Sequence, residues 1–208
     1  MSNVIQVAHP LIQHHMVRLR DENTRPEEFR TLIGRLSVLL AYEATSDLRV
    51  REQSLKTPIC ETTGNVLDQR IGLVPILRAG LGMVDPILNL IPQAEVWHVG
   101  LYRDEATATP VEYYSKIPKP VPLDVALIVD PMLATGGSAR AALAALQSRN
   151  VPHLKLLSVI AAQAGIDAVT AEFPETQIYV CAIDAELNSD KFIVPGLGDA
   201  GDRIFNTL

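Results

Sequence analysis

The fold is read outward from one stretch: Ala126-Leu-Ile-Val-Asp130-Pro-Met-Leu-Ala-Thr135-Gly-Gly-Ser138, running into Ala139-Arg-Ala-Ala-Leu143. The uninterrupted apolar run Val125–Val129 predicts a strand covered on both faces. It ends in an acid, and a turn of small residues leads into a helical segment. In an open α/β sheet, ligands sit outside the carboxyl ends of the strands. Thr135, Gly136, Gly137 and Ser138 would put several backbone N–H groups at a helix N-terminus, where those donors and the helix dipole favour an anion. Glycine lets the backbone approach a phosphate closely. A plain strand-to-helix turn with a glycine cap fits Thr-Gly-Gly-Ser equally well. The preceding strand and Asp130 tip the reading toward an anion cradle beside a carboxylate, which is what a ribose 5-phosphate needs. The spacing G-x-x-x-x-G-K-[ST] of a P-loop and the G-x-G-x-x-G of a dinucleotide fingerprint are both absent.

Other apolar runs rich in β-branched residues flank this one: Ile71 to Leu77, Leu154 to Ala161 and Ile178 to Ile183. Helical patterns lie between them, at Leu81 to Ile91, Ala139 to Ser148 and Ile166 to Phe173. Such alternation predicts a mostly parallel open sheet flanked by helices. Val96 to Tyr102 and Val111 to Tyr114 read as a β-hairpin projecting as a flap. The N-terminal segment reads as helical, with Thr24 as N-cap, Glu27 as its capping-box partner, and Phe29, Leu32, Ile33, Leu36, Leu39 and Leu40 forming an apolar face. Glu52 to Asp68 reads as a loop or a small hairpin. The tail from Phe192 reads as a loop over a site followed by a short end strand. With no repeat or linker, the expectation is one domain over residues 1–208.

Hydrophobic residues make up 48% of the 208-residue chain and charged residues 20%, as expected of a globular fold. The net charge of −6 argues against nonspecific nucleic-acid binding, which relies on clustered Lys and Arg. Cys60 and Cys181 have no metal-type spacing and read as two buried thiols, and the five histidines form no metal pattern, so no protein-held metal site is expected. No apolar run approaches the roughly 20 residues of a membrane span. No secretory signal is recognisable at the N-terminus either. The expectation is a cytoplasmic protein without membrane or nucleic-acid partners.

The run Val129 to Ser138 resembles the phosphoribosyl pyrophosphate (PRPP) loop of the uracil phosphoribosyltransferase family, whose Asp-Pro replaces the two adjacent acids of the wider superfamily. Three further segments agree. Val74-Pro-Ile-Leu-Arg78-Ala-Gly-Leu-Gly-Met83 is similar to the family's pyrophosphate-side loop. Gly100-Leu-Tyr-Arg103-Asp-Glu105 and Pro110-Val-Glu-Tyr-Tyr114 resemble its flap, and Phe192 to Phe205 resembles its uracil loop. His9-Pro10-Leu11-Ile12 and Tyr42 to Asp47 extend the likeness over nearly the whole chain.

The resemblance implies a phosphoribosyltransferase-like fold and transfer of ribose 5-phosphate from PRPP to uracil, giving UMP and pyrophosphate. Asp130, Arg103 and Asp199 would be catalytic. PRPP would be held by Arg78, Arg103, Asp130, Pro131, Met132, Leu133, Ala134, Thr135, Gly136, Gly137, Ser138 and Asp199. Uracil would be read by Ile193, Gly198, Asp199 and Ala200, largely through main-chain groups. Mg²⁺ would arrive with PRPP, since it binds readily through substrate phosphates. The family further implies an unusual backbone at the Arg78–Ala79 step, a homodimer or homotetramer, and GTP as an effector. Three places depart from its pattern: His15, Gln163-Ala164 and residues 106–109. None is a carried-over site position, and they bear on GTP activation and subunit contacts. Two competitors are another base specificity, which the tail loop opposes, and a regulatory protein of the same fold that binds UMP and RNA, which the acidic charge opposes.

Overall fold

The computed structural model describes residues 3–103, 110–115 and 122–207, with the backbone alone at 99–103 and 110–115. The chain opens with β1 (Val4–Gln6), α1 (Pro10–Arg20) and α2 (Pro26–Ala44). An antiparallel hairpin follows, β2 (Val50–Lys56) and β3 (Glu61–Leu67). Then come β4 (Ile71–Pro75), α3 (Leu81–Leu90), β5 (Glu95–Val96), β6 (Val99–Arg103) and β7 (Pro110–Ser115). The second half contains β8 (Val125–Val129), β9 (Met132–Leu133), α4 (Gly137–Gln147), β10 (His153–Ala162), α5 (Gln163–Glu172) and β11 (Gln177–Asp184). It closes with β12 (Glu186–Leu187), β13 (Ile193–Val194) and α6 (Ala200–Phe205).

The central sheet runs β1-β11-β10-β8-β4-β5, with β9 paired to β10 farther along, and every pairing in it is parallel. All five residues of β4 and all five of β8 are buried, which explains why both read as unbroken apolar runs. Alternate side chains of β8 serve the two faces. Leu127 and Val129 join a core with Phe29, Leu36 and Met83, while Ala126 and Ile128 join Leu143, Leu146 and Val169. The helices α1, α2 and α3 thus cover one face and α4 and α5 the other. Burial of each fully enclosed Leu, Ile or Phe contributes about 1.5–3 kcal/mol, so the two cores fix the sheet and leave its carboxyl rim to the loops. The expected open parallel sheet with flanking helices is the observed architecture.

Four local readings need correction. The N-cap of α2 is Arg25, with Pro26 as the first helical residue, and Thr24 donates its hydroxyl to the Arg18 carbonyl instead. Proline suits that first position because its missing N–H would have been unpaired there. Glu95–Val96 joins the central sheet beside β4, so only β6 and β7 form the flap ribbon, with an irregularity at Gly100/Leu101. Glu52 to Asp68 needs no correction, since of its two readings the hairpin is the one found, as β2–β3. The end of the chain is a helix, α6, and Cys60 is exposed, while Cys181 is buried with its thiol pushed up to about 12 by burial. No helix among the described residues is long and apolar enough to cross a membrane.

Candidate active site

The chain leaves the sheet at Asp130. Up to Val129 β8 pairs with β10, and Asp130 still donates its N–H to Leu157 O at 3.2 Å. Pro131 accepts from Ile160 N–H at 3.0 Å, and β9 then rejoins β10 at Met132 and Leu133. Gly136 turns into α4 with φ of +79°, and a Cβ there would lie 3.0 Å from Gly165 O. A side chain at that position is therefore both strained and crowded. The first turn of α4 holds no acid and Gly136 caps it with no side chain, so among the described residues its first N–H donors are left open to an anion. Beside them lies a cavity of about 90 Å³, lined by Asp130, Met132, Leu133, Ala134, Thr135, Gly136, Gly137, Ser138 and Ala139. Its remaining wall is Leu156 and Ser158 of β10. The buried Pro131 does not line it.

A second cavity of about 260 Å³ adjoins the first through Asp130, Met132 and Ser138. It adds Ile76, Leu77, Arg78 and Ala79 from the loop after β4, and Asp199, Ala200 and Gly201 from the start of α6. Arg78 donates to Asp202 Oδ1 at 3.1 Å and keeps 61% of its side chain exposed, so its guanidinium is both tethered and accessible. Asp199 caps α6, its Oδ1 accepting the Asp202 N–H at 2.9 Å. The Thr207 hydroxyl and then Arg78 hold the Asp202 carboxyl below its usual range. The unusual backbone lies one bond before the expected step, as a cis peptide between Leu77 and Arg78.

Asp130 sits where the cavities meet. It accepts the Met132 N–H at 3.3 Å. Burial, opposed by that bond and helped by the charge of Asp199, pushes its carboxyl up to about 7. A carboxyl so poised gains from any ligand that donates hydrogen bonds to it, because they replace the solvation it has lost. Arg103 ends β6, and its side chain falls outside the described residues.

The tail loop is held from far away. Arg20 forms a two-pronged pair with Asp184, each contact at 2.7 Å. Arg20 also donates to Gly196 O at 2.9 Å, while Asp184 accepts the Gly196 N–H at 2.9 Å. Arg20, followed by the Gly196 N–H, holds the Asp184 carboxyl below its usual range. Arg203 donates to Leu197 O at 2.7 Å and to Leu19 O at 2.9 Å, and it stacks over the Phe29 ring at 4.3 Å. The clamp therefore occupies both peptide groups of Gly196 and the carbonyl of Leu197. Within the described residues, the N–H groups of Gly198 and Ala200 donate to no acceptor. The Ile193 side chain is turned into the core at 4% exposure, which leaves only its main chain to meet a ligand. Asp199 and Ala200 line the larger cavity, whereas Ile193 and Gly198 line neither.

The sequence reading missed Ser158, Arg20, Asp184, Asp202 and Arg203. Asp184 carried the same signal as Asp130, an acid closing a buried strand at the carboxyl rim. Arg20 and Arg203 carried none, since a basic residue near a helix end is common for dipole reasons alone.

A strand-acid-cradle run, an arginine loop and a Gly-rich tail thus converge on one cleft. The family model described as uracil phosphoribosyltransferase matches residues 6–207. A Roseiflexus protein named uracil phosphoribosyltransferase is 53% identical over the full length of both chains, and one of that name from Clostridium tetani is 50% identical, also over both full lengths. A solved structure of an Aquifex aeolicus protein superposes with a TM-score of 0.91 at 36% identity, covering 97% of each chain. A match over almost every residue leads to one conclusion: the chain belongs to the uracil phosphoribosyltransferase family.

Proposed function

We infer that this chain transfers ribose 5-phosphate from PRPP to uracil, releasing pyrophosphate and forming UMP, and that it does so in the paired cavities around Asp130. The observation that carries the residue roles is the sharing of Asp130 by the two cavities. On this reading the open N–H groups at Thr135 to Ser138 hold the 5-phosphate and Asp130 accepts from the ribose hydroxyls. Arg78 and Asp199 face the pyrophosphate, with Arg103 reaching it from the flap. The base lies against the tail loop, its edge read by the free N–H groups of Gly198 and Ala200 and by the main chain of Ile193.

Departure of pyrophosphate develops oxocarbenium character at the anomeric carbon, as in glycoside chemistry. The protein's part is to fix the base against that carbon and to stabilise the leaving charge. Among the described residues there is no cluster of three His, Cys, Asp or Glu that could cage a metal. Asp130 and Asp199 facing one cavity fit Mg²⁺ that arrives on substrate phosphates, where it would neutralise charge on the pyrophosphate. Assembly as a homodimer or homotetramer and a response to GTP are carried from the family. Sedimentation, and activity measured across a GTP titration, test them.

The decisive assay measures nucleotide formation from PRPP with uracil, cytosine, orotate and hypoxanthine side by side. UMP formed from uracil, with at least a hundredfold preference over cytosine, is expected of a site built on base-edge hydrogen bonds. Equal turnover of cytosine or orotate would overturn the base assignment.

A further inference from the structure

The floor of the smaller cavity holds a polar group that its own structure does not use. Ser158 is fully buried at 0% exposure, its hydroxyl has no hydrogen-bond partner among the described residues, and it lines the cavity opposite the N-terminus of α4. Buried hydroxyls nearly always find a partner, so an orphan of this kind calls for an explanation. Its placement follows from β10. Leu156 and Ser158 point to the same face, and both form the cavity wall, whereas Leu157 and Val159 pack into the opposite core. Between Val129 and Met132 the neighbouring chain has left the sheet, which opens the space above Ser158.

We propose that Ser158 is a further ligand of the 5-phosphate, donating its hydroxyl from the floor of the cradle while the N–H groups of α4 donate from the rim. This rests on the reading of the cradle as the 5-phosphate site. A phosphate held only by rim donors would leave its inward oxygen against apolar Leu156 and Ala139. Ser158 is the polar side chain of the β10 wall, across from Thr135 and Ser138, and the phosphate in turn satisfies the stranded hydroxyl. The residue thus adds little to the empty protein and much to the liganded one.

Opposite effects on stability and affinity are the test. In the full chain, Ser158→Ala and Ser158→Cys are compared with wild type by thermal unfolding without ligand and by calorimetry with ribose 5-phosphate. Ser158→Ala should unfold no lower than wild type, because it removes an unsatisfied buried group, yet bind ribose 5-phosphate about tenfold more weakly, the scale of one hydrogen bond to a charged partner. Ser158→Cys, with its weak donor, should fall between. The KM for uracil at saturating PRPP should not move. Unchanged ribose 5-phosphate affinity in both variants overturns the Ser158 assignment alone. Failure of the wild type itself to bind ribose 5-phosphate overturns the cradle reading beneath it.

Discussion

The two halves of the cleft are built by opposite means. The phosphate half comes almost entirely from one continuous run, Val125 to Ala139, in which strand, acid, turn and helix follow each other in sequence. The base half is clamped by residues 164 and 176 positions apart, where Arg20 reaches Asp184 and Gly196. The first half depends on backbone geometry that a few local residues dictate. The second depends on tertiary contacts holding a loop that has little regular structure of its own. On the proposed roles, binding PRPP and choosing the base fall to separately built halves, and substitutions should part them.

The largest effect is expected at the junction. Asp130→Asn keeps the shape and removes the charge, and should lower kcat/KM by about 10²-fold or more. Near-normal activity in a folded variant would refute Asp130 as the ribose contact. Linkage gives a second readout. The folded carboxyl is raised to about 7 from an ordinary value of 3.8, so its contribution to stability is fully present below the lower value and is lost as pH rises toward 7. Asp130→Asn should therefore raise the Tm of the unliganded protein at pH 8 and leave it nearly unchanged at pH 4.

Next comes the clamp. Asp184→Ala takes the carboxylate from Arg20, which keeps only the Gly196 carbonyl, and frees the Gly196 N–H. The uracil KM should rise by roughly tenfold or more, about the loss of one charge-assisted hydrogen bond, while ribose 5-phosphate binding stays within twofold. Arg20→Lys, which keeps the charge and loses the fork, should fall between Asp184→Ala and wild type. Equal loss of both affinities would show that the halves are not independent.

A smaller effect is a pH dependence confined to the PRPP side. On the proposed role of Asp130, ribose hydroxyls donate to its ionised form, so binding below pH 7 must first remove a proton. PRPP affinity should fall by up to about tenfold per pH unit below 7 and level off above it. Asp130→Asn, measured in parallel, removes this component and leaves only the titration of PRPP itself. A wild-type profile identical to that of Asp130→Asn sinks the idea.

The smallest effects lie in the reading loop. Gly198 has φ of +77°, so Gly198→Ala costs about 1 kcal/mol of local strain and should raise the uracil KM several-fold. Proline there would demand φ near −65° and wreck the turn, so it cannot isolate a lost donor. Ile193→Val trims a buried side chain and should leave uracil-over-cytosine discrimination unchanged. If that variant accepts cytosine, side chains choose the base.

Legibility in the sequence followed the same division. The buried strand at Val125–Val129, Asp130 at its end and the glycine turn were readable because period, composition and order lie within one window. The helix at Ala200–Phe205 was not, because six residues are too few to display a period and its stability comes from the Asp199 cap and the reach of Arg203. Val96 was merged with the flap because a strand of two residues, Glu95–Val96, cannot announce which sheet it joins. Ser158 was invisible for another reason. One polar residue in an apolar strand carries no period, and only the step of the neighbouring chain at Asp130 gives it a cavity to face.

The clamp also orders events during synthesis. Every main-sheet strand that supports the phosphate cradle, from Ile71 to Ala162, is made before Asp184, Gly196 and Arg203 exist. Contacts of long sequence separation must pay loop-closure entropy before they reward it. Leu19, Arg20 and Asp21 must wait, near the beginning of the chain, for partners near its end. In order of synthesis, the residues of the proposed phosphate cradle are therefore complete before those that clamp the proposed base loop.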